Sequence, residues 1–457
     1  MVPRDDECII AQCTPQGKGA LALLRISGST ARSVVDSMAL LASSKKIINV
    51  PTHTIHFGTI LDNLGQAIDQ VMIIVMDGPR TFTGQNTVEI TCHNNSFLIE
   101  AIIQQALKRG ARIAQEGEFT RRAYEAGKID LIQAESINEL ITAQTQHALK
   151  RSLAQLEGSF SHWIAALEKD LLQAIAWCEA SFEFLDEEIE FGAQLQERLS
   201  QLLTKISNLK RTFNVQQQIR EGIKVAFIGS VNVGKSSLFN TLLNQKRAIV
   251  TDKPGTTRDS IEASILYEGN SITLIDTAGL RETNNTIEQE GIKRSHEEAH
   301  KADIILLIYD GSKKMSEQEL TIYMNIKNKY PKKCIVVRSK SDCPLASVNA
   351  LSCSEEMVVS AHSRENIEML EQEINKKIND LFQELDSPFL VNKRQYHLLE
   401  HCESKLTHCA RLLKEAPAYE IISYILQDTV TILSELTGRS IAEAALDTVF
   451  KEFCVGK

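Results

Sequence analysis

Between Gly229 and Ser237 the chain reads G-S-V-N-V-G-K-S-S, which satisfies the pattern G-x-x-x-x-G-K-S. Glycines in such a loop let successive N–H groups turn toward one centre, and that centre suits phosphate oxygens. Lys235 has the reach for β- and γ-phosphates, and the Ser236 hydroxyl can ligate magnesium. The chemistry needs an apolar strand before the loop and a helix N-terminus after it, because that helix end favours negative charge. Ile223 to Ile228 supplies the strand, and Leu238 to Leu243 reads as the helix.

Further segments follow at the ends of predicted strands. Gly255 to Asp259 reads G-T-T-R-D and offers Thr257 as a second magnesium ligand. Asp276 to Gly279 reads D-T-A-G; Asp276 can hold the magnesium shell, and the Gly279 N–H can meet a γ-phosphate. Ser339 to Asp342 reads S-K-S-D, where GTP-binding proteins carry N-K-x-D. Asp342 can accept from guanine N1–H and N2–H, donors that adenine lacks. Ser360, Ala361 and His362 fit a last base-contacting loop. Together these segments point to GTP hydrolysis. The expected nucleotide contacts are Asn232, Val233, Gly234, Lys235, Ser236 and Ser237; Thr251, Asp252, Lys253, Pro254, Gly255, Thr256 and Thr257; Asp276, Thr277, Ala278 and Gly279; and Ser339, Lys340, Asp342, Ser360, Ala361 and His362.

Leu280 stands where Ras-like proteins place a water-orienting glutamine. Glu288 is the candidate replacement, as general base or through a second water; a solvated helix carboxylate is the equal alternative. Asn232 offers a side-chain oxygen to a monovalent cation in the place of an arginine finger.

The elements that must hold these groups divide the chain. With 457 residues it has room for about three domains. Its 43% hydrophobic and 24% charged content is that of a soluble globular protein. No apolar run approaches a membrane span, the acidic start does not read as a secretory signal, and the 10 cysteines form no C-x-x-C pair. These features argue for a reducing cytoplasm and against a structural zinc site. A net charge of −9 excludes a uniformly basic surface but not a local nucleic-acid patch.

Residues 1–120 read as an α+β N-terminal domain, with strands near Ile9, at Ala20–Ile26, at Val71–Met76 (buried on both faces) and at Thr87–Cys92, then a helix from Ser96 to Arg109. Residues 121–220 and 383–457 read as a discontinuous helical bundle. Its seams are Leu149, Leu153, Leu156, Phe160, Trp163, Leu167 and then Leu195, Leu199, Leu202, Ile206, Leu209, Phe213, with Gly192 as a break between them. Later helices are expected from Val391 to Lys414, Ala418 to Leu436 and Ser440 to Phe453. Residues 221–382 alternate strand and helix, an α/β doubly wound P-loop domain inserted into the helical one.

The combination resembles the MnmE (TrmE) family of tRNA modification GTPases, within the TrmE-Era-EngA-like GTPases, over the whole chain. The resemblance rests on G-x-x-N-x-G-K-S-S, on T-D-K-P-G-T-T-R-D at Thr251 to Asp259, and on D-T-A-G-L-R-E at Asp276 to Glu282 with its trailing I-E-x-x-G-I. It rests also on Ala11 to Gly28, on G-E-F-T-R-R-A at Gly117 to Ala123, and on the ending C-V-G-K at Cys454 to Lys457. It implies a homodimer built through N-terminal domains, and hydrolysis driven by potassium-dependent pairing of GTPase domains. Asn232, Thr251, Lys253 and Thr256 match the potassium ligands, Ser236 and Thr257 the magnesium ligands, and Glu288 the catalytic glutamate.

The family acts with the flavoprotein MnmG, as a heterotetramer, on carbon 5 of the wobble uridine (U34) of certain tRNAs. The products carry carboxymethylaminomethyl or aminomethyl groups. The one-carbon unit comes through 5-formyltetrahydrofolate or a related tetrahydrofolate, whose pocket Arg25, Glu89, Lys128 and Lys457 match. Read without the resemblance, Arg25 and Lys128 are surface charges. Cys454 is expected to serve modification and not hydrolysis; the ending is not a prenylation box, because Gly456 stands where the second aliphatic residue would. The competing function is a GTPase switch in ribosome assembly, but the chain shows neither a tandem GTPase domain nor a G-x-x-G RNA-binding domain. The departures from the pattern are Val231 for a proline, Ser339 for an asparagine, His362 for a lysine or leucine, and His93-Asn94-Asn95 for H-G-G.

Overall fold

The computed structural model describes residues 7–456 except 184–187, 214–215, 217–219, 221, 245–260, 268–269, 277–296, 346–355, 384–387 and 416–417. They fall into two compact units: residues 1–138, 153–203 and 397–457 in one, and 139–152 and 204–396 in the other.

The N-terminal sheet is built from β1 (Ile9–Gln12), β2 (Leu21–Ser27), β3 (Ala39–Leu41), β4 (Thr54–Leu61), β5 (Ala67–Met76), β6 (Thr87–His93) and β7 (Arg112–Ile113), in the order β3-β4-β5-β6-β2-β1-β7. All its pairings are antiparallel except β1 with β7. Helices α1 (Ala31–Asp36) and α2 (Ser96–Lys108) cover one face and close a core of Leu24, Ile26, Ile60, Ile73, Val88, Ile90 and Ile102. The expected two-sided burial of Val71–Met76 is corrected. Val71, Ile73 and Val75 are buried, whereas Met72 is 41% exposed, so β5 alternates as a one-sided strand should. Leu40, Ile55 and Phe57 join Met72 on the uncovered face.

Helices α3 (Glu118–Glu125), α4 (Leu131–Thr142), α5 (Gln146–Leu156), α6 (Ser159–Glu183) and α7 (Glu188–Arg211) follow. The first predicted seam is split: Gly158 has φ 96°, a backbone that ends α5, and Leu149 and Leu153 are each 47% exposed. Burial is regular only beyond the break, at Phe160, Ile164, Leu167 and Leu171. The second seam is buried as its spacing predicts, from Leu195 to Leu209. Gly192 does not break the chain; α7 runs through it, and a Cβ there would lie 3.0 Å from the Tyr419 hydroxyl.

The α/β segment forms β8 (Ile223–Ile228), α8 (Lys235–Asn244), β9 (Ile261–Tyr267), β10 (Asn270–Asp276), β11 (Ile304–Asp310), α9 (Glu317–Lys329), β12 (Cys334–Ser339), β13 (Met357–Val358) and α10 (Ile367–Gln383). Its sheet runs β13-β12-β11-β8-β10-β9, parallel except for the β9–β10 pair. Every residue of β11 is buried, as a central parallel strand covered on both faces requires. The sheet order reverses around β8, and such reversals open a crevice at the strand C-termini.

The chain then returns to helices, α11 (Lys393–Glu415), α12 (Tyr419–Thr437) and α13 (Glu443–Phe450). Gly438, at φ 90°, ends α12 in the left-handed conformation. Helix α12 packs along α6, and Arg439 Nη2 meets Glu168 Oε2 at 2.5 Å. Helical stretches on either side of the α/β segment thus share one bundle. No helix among the described residues is long and apolar enough to cross a membrane.

Candidate functional site

Strand β8 lies between β10 and β11, so its C-terminal end opens at the centre of the crevice. Gly229 follows, and a Cβ there would stand 2.3 Å from the Ile308 carbonyl oxygen, so only glycine fits. Asn232 (φ 66°) and Gly234 (φ 99°) take left-handed conformations that turn the loop into α8; asparagine tolerates this better than most residues. Lys235 is buried, with Nζ 2.5 Å from Gly229 O and 2.6 Å from Ser230 O. Its ammonium is therefore held inside the loop by backbone carbonyls. Ser236 and Ser237 are exposed on the first turn of α8. A hard-oxygen donor at a positive helix end suits a magnesium–phosphate complex. Asp276 closes β10 opposite Phe227 of β8, two residues before Gly229.

The segments expected to contact the base converge as well. The Ser339 hydroxyl, buried, lies within donating reach of Val233 O at 2.5 Å and Tyr309 O at 2.9 Å. Serine in place of asparagine therefore keeps a tie to the phosphate loop, though one hydroxyl hydrogen serves one acceptor at a time. Lys340 (φ 59°) donates to Asn232 O at 2.8 Å and to Asp310 Oδ2 at 2.6 Å. Asp342 is exposed, and its Oδ1 accepts from the Ser360 hydroxyl at 2.5 Å. That hydrogen bond holds its carboxyl below the ordinary carboxylate value, so it stays an acceptor. Ala361 O lies 3.4 Å from the Thr241 hydroxyl of α8, and His362 is exposed.

Asp310 escaped the sequence reading. It is buried at the end of β11 and accepts from Lys340, from the Ser312 N–H at 2.9 Å and from the Ser312 hydroxyl at 2.6 Å. Burial pushes its carboxyl up, but these donors outweigh it and hold the value below the ordinary one. The available signal was an aspartate closing an apolar strand, on the edge where ligand loops lie. Of the expected contacts, Thr251 to Thr257, Thr277 to Gly279, Leu280 and Glu288 lie outside the described residues, as does Lys457.

In the N-terminal unit, Arg25 of β2 and Glu89 of β6 are register partners joined by a 2.8 Å bond, each 17% exposed. The Arg25 guanidinium lies over the Phe119 and Phe82 rings, 5.5 and 5.9 Å from their centroids. Stacking between aromatic rings fixes the arginine while leaving polar edges partly open. Beneath them Glu118 is buried between Arg112 (2.6 Å) and Arg122 (2.9 Å). Burial opposes its charge, but bonds from Arg112 and the Gln115 N–H, with Arg122 nearby, hold its carboxyl below the ordinary value. Lys128 is exposed, and its Cε would lie 3.6 Å from a Cβ on Gly84.

The C-terminal tail reaches this sheet. Val455 bridges Glu116, and Gly456 (φ 98°) packs so tightly that a Cβ would stand 2.5 Å from Gln12 O. Gln12 follows Ala11, the β1 partner of Arg25. Cys454 is exposed. The asparagines that replace two glycines also have roles here. Asn95 caps α2 by accepting from Phe97 N at 2.9 Å, and Asn94 donates to Gly17 O at 2.8 Å. Neither takes a positive φ, so glycine is not required at either position.

A family profile described as the GTP-binding protein TrmE N-terminus matches residues 8–128, and one described as the MnmE helical domain matches residues 131–454. The chain is 36% identical to the tRNA modification GTPase MnmE of Thermotoga maritima over 458 residues, covering 99% of this chain and 100% of that protein. With the protein of the same name from Aquifex aeolicus it shares 36% identity over 455 residues, covering 99% and 100%. With that of Streptococcus mutans it shares 35% over 463 residues, covering 100% of both. A likeness of this degree over the full length of both chains, with family profiles matching residues 8–128 and 131–454, establishes that the chain belongs to the MnmE (TrmE) family of tRNA modification GTPases.

Proposed function

We propose that the chain hydrolyses GTP to drive modification of carbon 5 of the wobble uridine of certain tRNAs, together with the flavoprotein MnmG. The observation that carries the GTP half is the meeting of Lys235, its loop carbonyls and the Ser360-bonded Asp342 on one sheet edge. Lys235 keeps the Gly229 carbonyl as a partner and turns its remaining N–H groups to β- and γ-phosphate oxygens as GTP enters. The α8 N-terminus and the loop N–H groups hold the phosphates in line, and Asp342 fixes the base. Ser236 and Thr257 would hold Mg2+, which when bound neutralises charge across the phosphates. Asn232, with Thr251, Lys253 and Thr256, would hold K+; the exposed amide at the loop turn suits an oxygen-seeking monovalent cation, whose charge serves in place of an arginine finger. Glu288 would orient the attacking water or accept its proton.

The tRNA half rests on family membership and on the N-terminal cluster. Arg25 and Glu89 present a paired cation and carboxylate between aromatic rings, a chemistry that fits the amide edge of a pterin and the carboxylates of a tetrahydrofolate. Lys128 and Lys457 would add charge for those carboxylates. Tetrahydrofolate supplies a one-carbon unit when bound. Homodimerisation through the N-terminal units is supported by the uncovered apolar row of Leu40, Ile55, Phe57 and Met72. A monomeric mass in light scattering at micromolar concentration would contradict it.

GTP turnover in potassium is expected to exceed that in sodium about tenfold or more, since charge aimed at a transition state is worth at least that much. Equal turnover in the two salts removes Asn232 from its role. In the same assay Glu288→Ala is expected to retain GTP binding and lose about 10²-fold in turnover, the lower range for a general base. Unchanged turnover would remove Glu288.

A further inference from the structure

The Gly229–Ser230 peptide is held at both of its ends. Its N–H, on Ser230, donates to the Tyr323 hydroxyl oxygen at 2.6 Å. Its carbonyl, on Gly229, accepts from Lys235 Nζ at 2.5 Å. A trans peptide points these two groups in opposite directions, so fixing one aims the other. Tyr323 comes from α9 and is buried among Ala226, Ile228, Tyr309 and Ile326. Its own hydroxyl hydrogen goes to Ile308 O at 3.1 Å, the carbonyl against which Gly229 is packed. The ring therefore has no freedom to release the loop without leaving a buried acceptor unmet.

The same helix face carries a second tie. Ser316 and Glu319 close a capping box at the start of α9, with Ser316 N donating to Glu319 Oε2 at 2.9 Å and Glu319 N to Ser316 Oγ at 3.2 Å. The Ser230 hydroxyl lies 3.3 Å from the Tyr323 oxygen. Positions 316, 319 and 323 share one side of the helix by its 3.6-residue period, so the capping box fixes the start of the helix whose next turn carries Tyr323.

We propose that Tyr323 is a positioning residue for Lys235: its hydroxyl orients the Gly229–Ser230 peptide so that the Gly229 carbonyl holds the ammonium beside the phosphate centre. The proposal rests on the GTPase reading of the loop. Without the hydroxyl the peptide rotates among several orientations, and only a fraction of molecules present Lys235 correctly. Apparent nucleotide affinity falls by that fraction.

Tyr323→Phe keeps the buried ring and removes only the oxygen, so the fold is retained; far-ultraviolet circular dichroism checks this. Equilibrium dialysis with radiolabelled GDP, which reaches weak affinities, compares the intact chain, Tyr323→Phe, Lys235→Ala and the double variant. The expected result is a Kd raised about threefold to tenfold by Tyr323→Phe, and no further rise when it is added to Lys235→Ala. A merely structural tyrosine gives the same factor in both backgrounds, which overturns the proposal, as does an unchanged Kd in Tyr323→Phe. An intact chain that binds no GDP overturns the GTPase reading itself, and the proposal with it.

Discussion

Replacing Asp342 with asparagine is expected to weaken GDP and GTP binding by about 10²–10⁴-fold while admitting xanthine nucleotides. Two charge-assisted hydrogen bonds from guanine are worth about 1.5–3 kcal/mol each, and about 1.4 kcal/mol is a factor of ten. The geometry favours a clean result. Asp342 is exposed, and its Oδ1 is already fixed by the Ser360 hydroxyl, so an asparagine oxygen can keep that bond. The remaining amide N–H₂ then faces guanine donors and repels them, but meets the C2 carbonyl of xanthine as a partner. Ser339 sharpens the expectation. Its hydroxyl is committed to Val233 O or Tyr309 O, so it offers no amide to share base recognition. Competition of GDP and its xanthine analogue against a fluorescent nucleotide measures the switch. An unaltered preference for guanine would take Asp342 out of the base site.

Removing Cys454 to Lys457 is expected to leave GTP turnover within about twofold of the intact chain and to abolish tRNA modification. Phe450 and Phe453, which pack with Leu131 and Ala134, remain in the truncated chain, so the end of the helical core is preserved. What is lost is the strap formed by the Val455 bridge to Glu116 and the close seat of Gly456 on Gln12. That strap lies on β1 beside the register row of Ala11 and Arg25. The phosphate loop and Asp342 belong to the other compact unit, so hydrolysis has no direct need of the tail. Loss of hydrolysis on truncation would contradict this division of labour, as would normal modification in cells carrying only the truncated chain.

The parts of the site that were legible in the sequence are those whose chemistry is local. Gly229, Gly234, Lys235 and Ser236 announce a phosphate loop because its geometry is made by neighbouring backbone. Arg25 and Glu89 needed the family pattern, since their pairing depends on the register of β2 against β6. Asp310 showed only as an aspartate closing an apolar strand, and Tyr323 not at all: the Lys340 and Ser230 groups they meet lie 30 and 93 residues away in the chain. The tie of Ser339 to the phosphate loop was hidden for the same reason, because its acceptor, Val233 O, is 106 residues distant.

The fold was read well where burial follows period and poorly where it does not. Leu195 to Leu209 lie on the covered side of α7, whereas Leu149 and Leu153 have identical spacing and remain half exposed. Periodicity says that a helix has an apolar stripe, but not that something covers it. The run Val71–Met76 misled in the opposite way. Its outward residues are apolar, as on a doubly covered strand, yet Met72 lies on the same open face as Ile55 and Phe57. Strands β3 and β9, at sheet edges, and β4, between β3 and β5, escaped the sequence pattern.

The central claim is that this GTPase exists to serve tRNA, and the most direct measurement is mass spectrometry of wobble nucleosides from cells lacking the chain. Uridine-34 bearing carboxymethylaminomethyl or aminomethyl groups at carbon 5 is expected to disappear, and to return with the intact chain but not with Lys235→Ala. Normal levels of these nucleosides in the cells lacking the chain would contradict the account.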